Sequence, residues 1–208
     1  IFSLSKTLKS LGININTIPV LDVLRNNTNR VIGNRSFSKD KKIVKELGVL
    51  TVGYLRLNKI FGVIKHIPGH GASVSDSHKK LPRISFSFKK LNKIDFYPFK
   101  QSKAKFAMTA HILYSKLDNK YPVTHSKKII KNIIREKLKF RGILISDDIS
   151  MKALKHDLIT NAKKSLEAGC NLALYCAGNT NDNLKLIKSL PYIDNFTSKK
   201  TSEFYKFL

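Results

Sequence analysis

The fourteen residues from Lys65 to His78 hold one Lys, three His (His66, His70, His78) and one Asp (Asp76). Asp76-Ser77-His78 sets a carboxylate two residues from an imidazole. At that spacing the acid can hydrogen-bond one ring nitrogen, fix the tautomer and raise the basicity of the other. Such a ring gives or takes a proton near neutral pH. A solvated loop that happens to carry an Asp and a His fits the same residues. His66 and His70 have the i, i+4 spacing of zinc ligands on a helix, but Pro68 and Gly69 between them argue against a helix. Two more acids, Asp147 and Asp148, end the apolar run Gly142-Ile143-Leu144-Ile145-Ser146 in a chain with only 14 Asp+Glu. Successive strand residues point to opposite sides, so one of the pair can face a ligand beyond the strand. Capping a helix before Met151-Lys152-Ala153-Leu154 is the other role open to both.

These groups need elements to hold them. Ile60-Phe61-Gly62-Val63-Ile64 reads as a buried strand. It feeds a loop broken by Pro68, Gly69 and Gly71, and loops at the ends of buried parallel strands are where α/β folds place their chemistry. Along the chain, residues 5–11 read as the end of a helix that Gly12 caps. Residues 13–23 are strand-like, with Asp22 either facing a site or capping the next turn. Residues 26–35 form a polar loop. Residues 38–57 are helical, with Ser38 as N-cap. Residues 84–103 form a short amphipathic stretch. A strand runs from Phe106 to His111, and a helix from Ser126, its N-cap, to Leu138, with Ile129, Ile130, Ile133 and Ile134 on its buried face. A helix over 158–168 capped by Gly169, a strand over 171–176, a helix over 181–190 and a polar tail over 195–208 complete the order. Strands alternating with helices imply an α/β fold with a parallel sheet, and site loops at strand C-termini suggest a (β/α)8 TIM barrel. Only five strands are found, near Ile13, Phe61, Phe106, Ile143 and Leu172. A full barrel takes about 250 residues. The expectation is therefore one domain over residues 1–208, a barrel lacking its first βα units.

Lys65-His66-Ile67-Pro68-Gly69-His70-Gly71 followed by Asp76-Ser77-His78 resembles the signature loop of glycoside hydrolase family 3, and within it the bacterial β-N-acetylhexosaminidases of the NagZ type. Gly12-Ile13-Asn14-Ile15-Asn16 with Pro19-Val20-Leu21-Asp22-Val23, then Gly33-Asn34-Arg35-Ser36-Phe37, then Ser146-Asp147-Asp148-Ile149-Ser150-Met151 agree in the family's order. The resemblance implies an N-terminal-type catalytic domain and a retaining exo-β-N-acetylglucosaminidase. It makes Asp147 the nucleophile and His78, held by Asp76, the proton carrier. Arg35, Lys65, His66 and Met151 then bind the sugar, Asp148 is a structural partner, and His111 stands behind these residues. By residue type alone, Arg35 is a solvated arginine, His66 a core histidine and Met151 a packing side chain. The substrate implied is a muropeptide, or another GlcNAc-containing saccharide, bearing GlcNAc on 1,6-anhydro-N-acetylmuramic acid in cytoplasmic cell-wall recycling. No metal or cofactor is implied, and a monomer is expected. The family's first barrel units, with an acid and an arginine that bind the sugar, have no counterpart here, so the N-terminal third is expected to be absent. No second family-3 domain follows, which favours the single-domain type over two-domain β-glucosidases. A family-3 phosphorylase and an inactive remnant share the same motifs.

The charge suggests a different class. Lys+Arg number 39, for a formal charge of +25, and so basic a chain suggests a nucleic-acid-binding module. The excess is mostly Lys spread along the whole chain, with no Arg-rich block and no aromatic-basic motif. Diffuse Lys beside abundant Asn and Ile reads as a solvated face of a protein from an AT-rich genome. No specific nucleic-acid partner is expected, only salt-sensitive polyanion binding. No run of 18 apolar residues suggests a membrane span, and Ile1-Phe2-Ser3-Leu4 is too short for a signal peptide. Cys170 and Cys176 read as reduced core thiols, which fits the cytoplasm.

Overall fold

The computed structural model describes residues 1–206. Its core is a curled parallel sheet, a half-barrel. The strands are β1 (Ile15–Asn16), β2 (Phe61–Ile67), β4 (Phe106–Thr109), β6 (Ile143–Asp148) and β7 (Leu172–Leu174), in the order β1-β2-β4-β6-β7. These are the five strands expected from sequence. A separate parallel pair, β3 (Arg83–Ile84) with β5 (Leu113–Tyr114), went unrecognised because each strand has only two residues.

Strand alternation sorts the side chains. Phe61 and Val63, Phe106 and Met108, Ile143 and Ile145, and Leu172 and Leu174 share one cluster on the inner face of the curl. Ile64, Ala107 and Leu144 face the other way and pack with the helices. Burying each of the fully buried Val, Leu, Ile, Phe and Met side chains among them contributes about 1.5–3 kcal/mol. Strand β4 is buried throughout, whereas β1 and β7 are half-buried. Among the described residues each of these two strands has a neighbour on one side only, so the curl stays open between them.

The helices are α1 (Phe2–Ser10), α2 (Lys41–Leu57), α3 (Phe88–Lys93), α4 (Lys127–Ile129), α5 (Leu158–Ala168), α6 (Thr180–Ser189) and α7 (Asn195–Tyr205). Helix α4 continues as a π-helix over Ile130–Lys137. Ser126 caps α4, accepting from Ile129 N at 3.1 Å, and Gly169 closes α5 with φ +112°, both as expected.

Four expectations are corrected. Helix α2 starts two residues later than the sequence suggests, because Asp40 accepts from Lys42 N at 2.6 Å while Ser38 accepts from Asp40 N. Of residues 13–23 only Ile15–Asn16 are strand, since the prolyl nitrogen of Pro19 cannot donate to a ladder. The tail, read only as polar, is helical over Asn195–Tyr205: α7 docks Phe204 on the inner face, its ring 4.9 Å from Phe61 and 5.4 Å from Phe106, edge-to-face. The last two tail residues lie outside those described. Finally, Cys170 is a buried free thiol, but Cys176, just past the end of β7, is exposed.

Candidate active site

Strand β2 delivers the first groups. Val20 bridges to Lys65, and Leu21 N donates to Lys65 O at 2.6 Å, so the segment ending in Asp22 lies beside the end of β2. The fully buried Asp22 accepts from His66 Nδ1 at 2.7 Å through one oxygen. Through the other it accepts from the backbone N of His66 at 3.3 Å and of His70 at 2.6 Å. Burial alone would raise the Asp22 carboxyl, but His66 and His70 outweigh it and hold it below the ordinary carboxylate value. Asp22 thus spends its oxygens on His66 and His70, far along the chain, rather than on the turn that follows it, and pins the loop after β2.

That loop is tightly wedged. Tyr114 OH donates to Gly69 O. A Cβ at Gly71 would lie 1.9 Å from Val23 O, so only glycine fits. Beneath the loop, Arg25 grips the buried Asp95 with two hydrogen bonds of 3.1 and 2.5 Å. Farther along, Asp76 Oδ1 accepts from both the ring Nδ1 and the backbone N of His78, each at 2.9 Å. These two bonds hold the Asp76 carboxyl below its ordinary value. The dyad foreseen from spacing is formed. The His78 side chain is 60% exposed, so the ring is free to meet a ligand.

Strand β6 delivers the acids. Asp147 is half-buried, and the desolvation would raise its carboxyl. His111, His66, the backbone N of Asp148 and Lys65 together hold it below the ordinary range. Lys65 is itself pushed down by burial and by Arg35, with Asp147 and Asp22 opposing. Arg35 is oriented by two bonds from its guanidinium to Val31 O. Arg35, Lys65, His66, His70, Ser77, His78 and Asp147 line one cavity of about 140 Å³. A larger groove of about 890 Å³ runs along β7 and α5 to Tyr192 and Asp194 and contains none of these residues. The small cavity can therefore combine an ionised carboxylate, a proton-carrying imidazole and fixed cationic donors.

A family-wide pattern described as "Glycosyl hydrolase family 3 N terminal domain" matches residues 3–198. The chain belongs to glycoside hydrolase family 3. It is 34% identical over 194 residues to a beta-hexosaminidase of Haemophilus influenzae (strain PittEE), covering 88% of this chain and 55% of that one. It is 35% identical over 190 residues to beta-hexosaminidase A of Pseudoalteromonas piscicida, covering 83% of this chain and 32% of that one. Among solved structures, NagZ from Neisseria gonorrhoeae in complex with N-trifluoroacetyl-D-glucosamine superposes with TM-score 0.86 at 28% identity, over 97% of this chain and 58% of that one. A family 3 β-N-acetylglucosaminidase from Paenibacillus sp. str. FPU-7 gives TM-score 0.87 at 27% identity, over 99% of this chain and 41% of that one. The chain thus spans about half the length of the Haemophilus relative and about a third of the Pseudoalteromonas one.

In this family 3 chain the cavity gathers Arg35, Lys65, His66, His78 and Asp147, with Asp76 joined through His78. It does not gather Met151, which lies buried beside Leu154, His156 and Tyr175 in a neighbouring hollow. Asp148 turns away to its own loop, accepting from Ser150 N, Ser150 Oγ and Cys176 N at 3.0, 2.7 and 3.3 Å. His111 is fully buried behind Asp147. Its Nε2–H donates to Asp148 O at 3.0 Å, so its Nδ1 accepts from Thr124 Oγ1 at 2.7 Å, and Thr109 Oγ1 donates to Thr124 at 2.9 Å. Sequence reasoning gave no site role to His70 or Ser77. His70 is weighed only through its i+4 spacing from His66, as a zinc ligand on a helix that Pro68 and Gly69 argue against, and no helix forms there.

Proposed function

We propose that this chain carries the catalytic site of a retaining exo-β-N-acetylglucosaminidase. The observation that carries the assignment is the half-buried, ionised Asp147 sharing a cavity with the His78–Asp76 dyad. The names of the Haemophilus relative and the Neisseria structure, the latter holding an N-acylated glucosamine, support it.

In the first step Asp147 attacks the anomeric carbon. The C1–O bond to the leaving group breaks as His78 gives that oxygen a proton. In the second, His78 takes a proton from water as the water attacks C1, and the bond to Asp147 breaks. Two inversions retain the configuration. An imidazole here replaces the usual acid/base carboxylate, and Asp76 keeps its tautomer and basicity suited to both transfers. Arg35, Lys65 and His66 direct donors at the hydroxyls and the N-acetyl group. Met151, buried in the neighbouring hollow, takes no part in binding the sugar. The loop carrying His78 closes over the sugar. The substrate class is muropeptides bearing GlcNAc on 1,6-anhydro-N-acetylmuramic acid, met in the cytoplasm by a monomer. In this assignment the half-barrel is part of one (β/α)8 catalytic domain of the family's N-terminal type. The steps use side chains of this chain alone.

The test is hydrolysis of an aryl β-N-acetylglucosaminide. Turnover by the parent chain is expected to fall about 10²–10⁴-fold in His78→Ala, the usual contribution of a general acid/base, and to vanish in Asp147→Asn. A 2-fluoro or 5-fluoro glycoside should leave a covalent adduct on the peptide holding Asp147. An adduct elsewhere rejects that nucleophile, and turnover that requires phosphate makes the enzyme a phosphorylase.

A further inference from the structure

His70 lines the cavity, and the catalytic steps leave it unused. It is 2% exposed, and both of its ring nitrogens are buried without a hydrogen-bond partner. Its neighbour His66, with ring centroid 5.6 Å away, is held by Asp22, so only the His70 ring is left unpaired in this pair. Buried polar groups are bonded in the great majority of proteins, so an orphan here asks for an explanation.

The backbone that carries this ring is fixed. Its backbone N is tied to Asp22 at 2.6 Å, Gly69 O on one side is held by Tyr114, and Gly71 on the other is wedged against Val23 O. Burial pushes the ring's pKa down to about 4 against the pull of Asp22, so at neutral pH it offers one N–H and one lone pair. A carboxylate can accept from such a ring but cannot donate to it. A hydroxyl can do both. The chemistry at this wall therefore suits a neutral, hydroxylated ligand, although Lys65 and Arg35 would by themselves draw an anion.

We propose that His70 is a sugar-binding residue of this site, its imidazole hydrogen-bonding a hydroxyl of the pyranose that lies against Lys65 and His66. The proposal rests on the glucosaminidase assignment above.

The experiment is a titration of the ¹⁵N-histidine-labelled chain with GlcNAc at pH 7, observing the ring nitrogens, with His70 identified by its loss in His70→Gln. The ring signals of both His66 and His70 are expected to move with one dissociation constant. Affinity for GlcNAc should fall about tenfold in His70→Phe, the worth of one neutral hydrogen bond, and stay within about threefold in His70→Gln, whose amide restores a donor and an acceptor. If GlcNAc moves the His66 signals and leaves those of His70 in place, His70 is a structural histidine and the proposal is overturned, while the enzyme assignment stands. If neither histidine responds, the glucosaminidase assignment falls and takes the proposal with it. Should His70→Phe fail to fold, the ring signals of the parent chain decide.

Discussion

His78 and Asp76 found each other because two residues of separation suffice for the bond, whereas His66 and Asp22 are far apart in sequence and meet only through β2. The buried imidazoles also set the acid limit of the fold. His70 and His125 are both pushed by burial from 6.5 to about 4. A histidine whose folded pKa is depressed binds its proton less readily folded than unfolded. Its contribution is fully present above 6.5 and is lost as the pH falls from 6.5 towards 4. At 1.36 kcal/mol for each pKa unit the loss is about 3 kcal/mol for His70 and less for the more accessible His125. The depressed carboxylates Asp22 and Asp147 add stability present above 3.8 and lost only below it. Urea unfolding midpoints should therefore drop clearly between pH 7 and pH 4.5, and less so in His70→Gln. A midpoint that stays constant over this range contradicts the buried, neutral state of His70.

At the scale of elements, the site is held from behind by a chain of polar contacts from β4 to the end of β6. Thr109, Thr124 and His111 pass hydrogen bonds in one direction and end on Asp148 O, next to Asp147. Thr124→Val keeps the shape and removes the hydroxyl, leaving His111 Nδ1 buried and unpaired. It should cost about 1–3 kcal/mol of stability. It should also lower kcat while leaving the affinity for GlcNAc close to that of the parent, because the change reaches the sugar only through the turn that carries Asp147. Equal losses in kcat and in affinity would show instead that the whole cavity has collapsed. Stability is read by urea unfolding, and the split by steady-state kinetics beside a GlcNAc titration.

At the scale of the whole molecule, charge and open edges dominate. The excess of +25 is spread along the whole sequence rather than gathered in one block. Binding to heparin or DNA should weaken steeply with salt, as counterion release requires, and should be the same in Asp147→Asn and His78→Ala as in the parent. Binding that survives 0.5 M salt, or that either substitution abolishes, would point to a specific polyanion site. No helix among the described residues is long and apolar enough to cross a membrane.

The sequence by itself determined what is local. It located the buried strands through their apolar runs, the helix cap at Ser126 and the glycine closing α5, the Asp76–His78 pair, and the loop whose residues mark family 3. Each of these depends on residues a few positions apart, where side-chain reach and backbone conformation leave few alternatives. Tertiary structure decided the rest. Parallel pairing of the segment around Val20 with Lys65 brought Asp22 to His66 and His70. The twist and register of β6 sent Asp147 to the cavity and Asp148 to its own turn. Docking of Phe204 against Phe61 and Phe106 turned a polar tail into a helix. These outcomes depend on which distant segments share a core, and that is fixed by burial and hydrogen bonding over the whole chain rather than by any one stretch of it.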